Sequence, residues 1–353
     1  MIFGRVKPLD AILATAEKKG LHRTLGAFQL TMLGIGAVIG TGIFVLTSEA
    51  AQKAGPAMLL SFVVAGFVCA VAALCYSELA SMVPVSGSAY TYSYAVVGEI
   101  LAWMVGWALI LEYAVGASAV AVGWSNHAVG LLNSLGWHIP AAISNADALM
   151  AHMQLALGAA PSEDLDKALA VGGWINVPAI IVIGFVTWLL VIGTTESARV
   201  NAVLVLIKIA ALTAFIALTL PVLNSDNFNP FMPTGIGNPL SSSGLGVLGA
   251  AASIFFAYVG FDAVSTAAEE TKNPQRNVPI GLIGSLVICT IFYLLVASGA
   301  IGAIGAQPVA NAAGQILSPG SPELAGRCAT LVAGGFVEPL VCSKEALVHV
   351  LEA

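Results

Sequence analysis

The sequence GIGAVIGTGIF, residues 34–44, places four glycines inside an apolar segment that is long enough to cross a bilayer. A glycine inside a helix costs about 1 kcal/mol relative to alanine, and an unwound backbone in hydrocarbon leaves amide and carbonyl groups without partners. The pattern therefore predicts a helix that is interrupted where it lines a cavity enclosed by protein. The amides of the following half-helix and the carbonyls of the preceding one suit the carboxylate and ammonium groups of an amino acid. We expect a carrier with its substrate site in the middle of the membrane.

The composition places the chain among integral membrane proteins. Of its 353 residues, 58% are hydrophobic and 9% are charged, and the mean hydropathy is +0.92; soluble domains do not have this composition. The acidic residues behind the net charge of -6 form no block, and nothing indicates nucleic-acid binding. The five histidines lack the spacing of metal ligands, and no serine or cysteine has a base nearby in the sequence. The sequence therefore predicts no enzyme, no metal site and no cofactor.

Stretches of about 20 apolar residues predict seven membrane spans in an all-α protein. Their approximate limits are 27–50, 57–82, 89–122, 176–195, 201–222, 244–268 and 279–304. Residues 1–25 lack the apolar core and cleavage site of a signal peptide, and residues 133–173 are typical of a loop with short surface helices. We expect a cytoplasmic N-terminal segment (1–25), a transmembrane carrier domain (26–304) and an external segment (305–353).

Lysine and arginine are more frequent in the segments that a cytoplasmic N-terminus would place inside the cell. Those segments contain Arg5, Lys7, Lys18, Lys19, Arg23, Arg199, Lys272 and Arg276, and the external ones contain Lys53, Lys167, Arg327 and Lys344. The positive-inside rule therefore predicts a multi-pass protein of the cell membrane with a cytoplasmic N-terminus. Cys328 and Cys342 then lie outside, where a disulfide is permitted.

A second interruption falls in the sixth span, where Gly260 and Asp262 follow the apolar run FFAYV at 255–259. Interruptions in the first and sixth spans are five spans apart. This is the spacing of an inverted five-plus-five repeat, in which corresponding broken helices meet at the midplane. Asp262 either faces the side chain of the substrate or caps the second half-helix of its span.

Several motifs together carry a family resemblance. They are GIGAVIGTGIF at 34–44, YSEL at 76–79, SGSAYTY at 86–92 and FFAYVGFDAVSTAAEETKNPQRNVPIG at 255–281. In this order, over residues 25–303, they resemble the amino acid-polyamine-cation permeases, and most closely the bacterial cationic amino acid transporter-like branch. The resemblance implies a leucine-transporter-type inverted-repeat fold of about twelve spans and secondary active, alternating-access transport of an amino acid. With about seven of those spans present, we expect a truncated chain that leaves Phe256, Tyr258 and Glu112 open on one side.

The amides of Gly40, Thr41 and Gly42 are expected to bind the substrate carboxylate, because they open the second half of the broken span. The resemblance implies that the ammonium group is held by the carbonyls of Val38, Phe256 and Val259, and that Phe256 is also the aromatic gate over the substrate. The alternative is that the glycines form only a helix-packing face, since small residues let membrane helices approach closely.

Two ionisable residues inside spans are candidates for proton coupling. Lys208 lies among apolar residues of the fifth span, where an ammonium group costs several kcal/mol unless it is paired or neutral. The resemblance implies that it occupies the place that sodium fills in sodium-coupled relatives; the alternative is a side chain that extends to the cytoplasmic interface. Glu112, in the third span, has either a coupling role or a structural hydrogen bond.

The cytoplasmic turn after the sixth span contains Glu269, Glu270, Lys272 and Arg276. We expect these charges to form the salt bridges of an inner gate, with solvated loop charges as the alternative. For the whole protein, the sequence predicts a proton-coupled amino acid permease in the lipid bilayer. The alternative is a membrane sensor or non-transporting subunit that binds an amino acid, and the identity of the amino acid stays open.

Overall fold

The computed structural model describes residues 23–157, 172–192, 194–238, 244–319, 321–333 and 339–343, together with residues 6–8, 10, 12, 166, 169–170, 347 and 350–351. Helices and turns make up these segments, in which the only β-structure is two isolated bridges, Leu25 with Thr271 and Ala310 with Ile316. The chain divides into two compact units, Met1–Leu111 with Asn201–Ala353, and Glu112–Val200. The predicted all-α fold is confirmed.

The first unit begins with two short helices where the sequence predicts one broken span. Helix α1 (Ala27–Val38) and helix α2 (Thr41–Ala54) are separated by two residues, and a 3-10 turn (Gly55–Ala57) leads into α3 (Met58–Met82). Helix α4 (Ser88–Val96) is short, and α5 (Glu99–Ser134) follows it. The third span was predicted at 89–122, where the structure has two helices, the second of which continues to Ser134. Gly98 has a φ of 121°, a conformation that favours glycine, and the chain turns there before the long helix starts.

The second unit contains the C-terminal part of α5, two short helices, α6 (Ala141–Ser144) and α7 (Asp147–Ala156), and the apolar helix α8 (Val177–Ile192). Asn176 joins its parts, because its side-chain oxygen accepts hydrogen bonds from the Ser125 hydroxyl at 2.6 Å and the Ala179 amide at 3.0 Å. Short helices in the polar stretch 133–173 agree with the sequence.

Helix α9 (Thr194–Thr219) begins in the second unit and leads back into the first. There α10 (Gly246–Tyr258) and the single-turn helix α11 (Ala263–Thr266) divide the sixth span, and α12 (Pro274–Ile304) is the seventh. Beyond it lie α13 (Pro322–Ala333) and a 3-10 turn (Leu340–Cys342), joined by the disulfide Cys328–Cys342. The disulfide that the sequence permits is therefore present.

The core of the first unit is built around α12. This helix packs against α1 and α3, and α10 packs against α2 and α3. Small residues allow the close approach: a Cβ atom built on Gly281 would lie 2.7 Å from the Cβ atom of Leu30. Van der Waals contact through small residues is the usual way that membrane helices associate. The five helices that pack in this way include α1, α2 and α10, which belong to the two interrupted spans.

Five helical stretches in the described residues are long and apolar enough to cross a membrane. They are Gly42–Met82, Glu99–Asn133, Val200–Val222, Gly246–Thr266 and Pro274–Ile304. Two shorter apolar helices, Ala27–Val38 and Val177–Ile192, fall within the predicted first and fourth spans. Large apolar side chains are exposed along α5 and α8, Trp103 and Trp188 among them, as expected for surfaces that face lipid.

Candidate functional site

Both predicted interruptions are present in the first unit. Helix α1 ends at Val38, and Ile39 (φ -73°, ψ 84°) and Gly40 (φ -113°, ψ -146°) lead into α2. Helix α10 ends at Tyr258, where Val259 is extended (φ -55°, ψ 136°), and α11 begins only at Ala263. Gly260 has a φ of 113°, which a residue with a side chain rarely adopts. The glycine therefore permits the second break.

The two breaks contact each other. A Cβ atom on Gly42 would lie 2.5 Å from the Cα atom of Ala257, so the start of α2 lies directly against the end of α10. A Cβ atom on Gly260 would lie 2.8 Å from the carbonyl oxygen of Ala37, so the second break lies against the end of α1. Helix ends from two spans, each with unsatisfied backbone groups, are thus brought to one place.

The carbonyl groups at the end of α1 are bonded by Lys208. Its ammonium group donates to the carbonyl oxygen of Gly36 at 2.9 Å and to that of Ile39 at 2.7 Å. A cation at a helix C-terminus is favoured by the helix dipole as well as by these bonds. The alternative in which the side chain extends to the cytoplasmic interface is wrong, because its head group lies at the break.

The carbonyls of Val38, the last residue of α1, and Ala257, one residue before the end of α10, share a partner that the sequence analysis missed. The Tyr293 hydroxyl of α12 lies 2.9 Å from the carbonyl oxygen of Val38 and 2.8 Å from that of Ala257. A tyrosine inside an apolar span needs a partner for its hydroxyl group, and this requirement is the signal that could have identified it.

The carbonyls of Phe256 and Val259 accept no hydrogen bond from the described part of the chain. They lie at the C-terminal end of α10, where the helix leaves its last carbonyls unsatisfied and the dipole is negative. Both were expected to bind an ammonium group, and both remain available for one.

The amide of Gly40 is not available to a carboxylate, contrary to expectation. Its N–H group donates to the carbonyl of Val38 at 2.8 Å, two residues earlier. This three-residue turn follows from the unwinding at Ile39. The amides of Thr41 and Gly42 belong to the first turn of α2, where N–H groups have no partner within the helix.

The glycines near the first break were interpreted either as a substrate-binding backbone or as a helix-packing face, and the structure supports a different interpretation for each of two glycines. Gly42 packs against α10, as a helix-packing residue would, whereas a Cβ atom on Gly40 would meet only the carbonyl oxygen of Val38, at 4.0 Å. The space beside the Val38 carbonyl is therefore open. Packing and access to the backbone are separate roles, and different glycines of the run serve them.

The remaining candidate side chains lie in different environments. Phe256 is 71% exposed, as expected, with its ring 6.2 Å from that of Phe255. Tyr258 was expected to be open but is 0% exposed, because its hydroxyl group turns inward and donates to the carbonyl of Phe62 at 3.1 Å. Glu112 is exposed and belongs to the second unit.

Asp262 occupies the N-cap position of α11, but its side chain makes no capping hydrogen bond to that helix. Its own backbone is helical (φ -64°, ψ -24°), whereas a capping side chain normally requires an extended backbone. Asp262 as a whole is 6% exposed, and its backbone carbonyl accepts from the Ser265 amide at 2.8 Å. The side-chain cap expected from the sequence is absent.

The turn after α11 is bonded through backbone groups instead of the expected salt bridges. Among the described residues, no ion pair involves its four charged side chains. The Glu269 carboxylate accepts the Ser86 amide at 2.9 Å. The Leu25 amide donates to the Glu270 carbonyl at 3.0 Å, and the Lys272 amide donates to the Leu25 carbonyl at 2.8 Å. The turn thus connects the segments that precede α1 and α4.

An ion pair that the sequence analysis did not predict lies on α2. Lys53 and Glu49 are 2.7 Å apart, one helical turn from each other. The Ser253 hydroxyl of α10 accepts from Lys53 at 2.6 Å and donates to Glu49 at 2.8 Å. The group therefore links α2 to α10 about two turns beyond the first break.

Comparison with known proteins finds one matching family and several similar proteins that are named as transporters or permeases. The amino acid permease family model matches residues 29–333. The methylthioribose transporter of Bacillus subtilis (strain 168) is 46% identical over 293 residues, which make up 83% of this chain and 58% of the relative. The branched-chain amino acid permease BcaP of the same organism is 47% identical over 316 residues, 89% of this chain and 61% of the relative. Cationic amino acid transporter 1 of Arabidopsis thaliana is 40% identical over 278 residues, 78% of this chain and 42% of the relative.

The chain spans about three fifths of the length of these two bacterial relatives. The matched residues include both interrupted spans and the helices that pack against them. Transport proteins, and no enzymes, are named among these relatives. The chain belongs to the amino acid permease family.

Proposed function

We propose that the protein is a secondary active amino acid transporter that works by alternating access and couples uptake to protons. The observation that carries the proposal is the meeting of two broken helices, α1–α2 and α10–α11, at Gly42 and Gly260. One break offers unpaired amides at a helix N-terminus, and the other offers unpaired carbonyls at a helix C-terminus. A zwitterion of amino acid size matches this pair of opposite partial charges.

The binding mode follows from which backbone groups are unsatisfied. The carboxylate binds at the first-turn amides of Thr41 and Gly42, and the ammonium group binds at the carbonyls of Phe256 and Val259. The exposed ring of Phe256 closes over the substrate from the outer side. The carbonyl of Val38 becomes a further ligand when its bond to Tyr293 is released.

Coupling to protons uses Lys208. The protonated side chain satisfies two carbonyls at the end of α1 and holds that half-helix against α9. Loss of the proton removes the charge that the helix dipole stabilises and one of three N–H donors. Helix α1 is then free to move, and the inner side opens. Glu112 is a second candidate for proton transfer.

The bacterial relatives support a location in the cell membrane, and the cytoplasmic N-terminus is part of the proposal. The disulfide Cys328–Cys342 supports an external position for the segment after α12, because disulfides persist in oxidising compartments. The two bacterial relatives carry the names of different substrates at nearly equal identity. Overall identity therefore does not select the side chain of the substrate, and we propose recognition of the α-amino acid head group.

Counterflow in proteoliposomes tests the function. Vesicles that contain the protein and are loaded with unlabelled amino acids are expected to accumulate labelled amino acid from outside, and a panel of competitors gives the side-chain preference. Methylthioribose belongs in that panel because it has neither a carboxylate nor an ammonium group. Stronger competition by methylthioribose than by every amino acid would contradict a zwitterion site, and binding without counterflow would indicate a sensor.

A further inference from the structure

We infer that Tyr293 is a positioning residue: its hydroxyl group holds the two helix breaks together and passes its single hydrogen bond from the Val38 carbonyl to the Ala257 carbonyl when substrate binds. The inference rests on the proposed function, which does not require it. Tyr293 lies on α12, outside both broken spans, and it has no role in the sequence-based site.

The geometry around the hydroxyl group is the first support. The oxygen lies 2.9 Å from the Val38 carbonyl and 2.8 Å from the Ala257 carbonyl. A phenol has one hydrogen, so it donates to only one of these carbonyls at a time. The two acceptors come from the ends of different helices, and one hydroxyl oxygen lies within hydrogen-bond distance of both.

The surroundings of the ring fix the position of the hydroxyl group. Tyr293 is 0% exposed. Its ring lies 5.7 Å from the ring of Phe62 on α3 and 5.2 Å from that of Tyr258 on α10, measured between centroids. Tilted aromatic contacts of this kind hold a ring in one orientation. The oxygen therefore serves as a fixed point from which both carbonyls are positioned.

The acceptor capacity of Val38 makes the arrangement responsive to substrate. A carbonyl oxygen has two lone pairs, and the Gly40 amide at 2.8 Å already uses one. While Tyr293 donates to Val38, the second is used as well. When Tyr293 donates to Ala257, the second lone pair of Val38 is free, and the open space beside it, where Gly40 has no side chain, admits an ammonium group. The Val38 carbonyl keeps the Gly40 amide as a partner in both states, whereas the Ala257 carbonyl receives the Tyr293 hydrogen bond only in the second state.

Tyr293→Phe tests the inference because it keeps the ring and removes only the hydroxyl group. The matched control is Tyr258→Phe, which removes a buried tyrosine hydrogen bond from the same aromatic cluster, to the Phe62 carbonyl, and leaves the Tyr293 hydroxyl group and its two acceptors in place. Affinities are measured by competition with labelled substrate for two ligands, the preferred amino acid and its α-hydroxy acid, which lacks the ammonium group. Melting temperatures of both variants are recorded in the same detergent.

The expected result is a change in the ratio of the two affinities. Tyr293→Phe should weaken binding of the amino acid about tenfold, because the Val38 and Ala257 carbonyls are no longer held in position for the ammonium group, and leave binding of the hydroxy acid nearly unchanged. Tyr258→Phe should lower the melting temperature without changing the ratio. Equal weakening of both ligands by Tyr293→Phe would overturn the inference and leave a purely structural tyrosine. Wild-type protein that binds no amino acid would overturn the proposed function itself.

Discussion

Lys208 provides the sharpest test of proton coupling, since one side chain both bonds a helix end and carries the proposed proton. Its two bonds, 2.9 Å to the Gly36 carbonyl and 2.7 Å to the Ile39 carbonyl, are charge-assisted, and each is worth about 1.5–3 kcal/mol. Lys208→Met removes both and leaves the Gly36 and Ile39 carbonyls without this donor. Because the side chain is partly exposed, the lower value applies to each bond. Lys208→Met should therefore lower the free energy of unfolding by about 3 kcal/mol.

Lys208→Arg separates the structural role from the coupling role. An arginine keeps N–H donors and a positive charge, but it does not lose its proton in proteins. We therefore expect Lys208→Arg to retain more of the thermal stability than Lys208→Met, and neither variant to respond to a pH gradient. Lys53→Met is the control lysine, because its ion pair with Glu49 lies away from the break.

The assay is initial uptake into proteoliposomes at fixed internal pH while the external pH is lowered. Wild-type protein and the Lys53→Met variant are expected to take up more substrate as the external medium becomes acidic, because protons then enter down their gradient. Both Lys208 variants should show a flat response, and exchange of internal for external substrate persists in Lys208→Arg. A normal pH response in Lys208→Met would refute the reasoning, and Glu112 would become the group to examine.

Three further predictions concern the break, the external segment and the inner turn. Gly42→Leu should abolish substrate binding and lower the thermal stability, because any side chain at this position collides with α10. The methyl group of Gly40→Ala lies in open space, so this variant should keep the thermal stability while binding substrate more weakly. Equal melting temperatures of the two variants would contradict this prediction. Cys328→Ser, or reduction of the bond to Cys342, removes the closure of a loop of 14 residues and should lower stability by up to about 3 kcal/mol; identical denaturation curves with and without reductant would exclude that contribution. Glu269→Gln keeps an acceptor for the Ser86 amide and should transport normally, whereas Glu269→Ala removes the acceptor and should impair transport. Impaired uptake by Glu269→Gln would instead support a gate that depends on the negative charge of Glu269.

The sequence predicted those features that depend on local composition. Apolar runs between polar segments identify membrane helices, since the bilayer imposes length and hydrophobicity on every span. The glycines at 40 and 260 mark breaks because an interruption in an apolar span needs both backbone freedom and a protein-lined cavity. The division of the third span into two helices was not predicted, because Gly98 and the short helix α4 lie in a largely apolar and aromatic stretch in which Glu99 is the one charged residue before Glu112.

The tertiary structure decided which backbone groups of the breaks are free. From the sequence, Gly40, Thr41 and Gly42 were equivalent donors, but the unwound residue Ile39 turns the Gly40 amide back onto Val38. The direction of the Lys208 side chain toward α1 likewise depends on the packing of α9 beside α1, which the sequence does not reveal. Hydrogen-bond partners distant in sequence depend on helix packing, and no local pattern encodes that packing.

By itself, the sequence determined that this chain is an all-helical membrane protein with two interrupted spans, because hydrophobicity and glycine placement act within single helices. Only the tertiary structure decided which residues touch where the interruptions meet, that the Tyr293 hydroxyl lies within hydrogen-bond distance of the Val38 and Ala257 carbonyls, and that Asp262 does not cap its helix through its side chain. The physical reason is that an unsatisfied backbone group is a local consequence of a helix end, whereas its partner is chosen by which helix packs beside it.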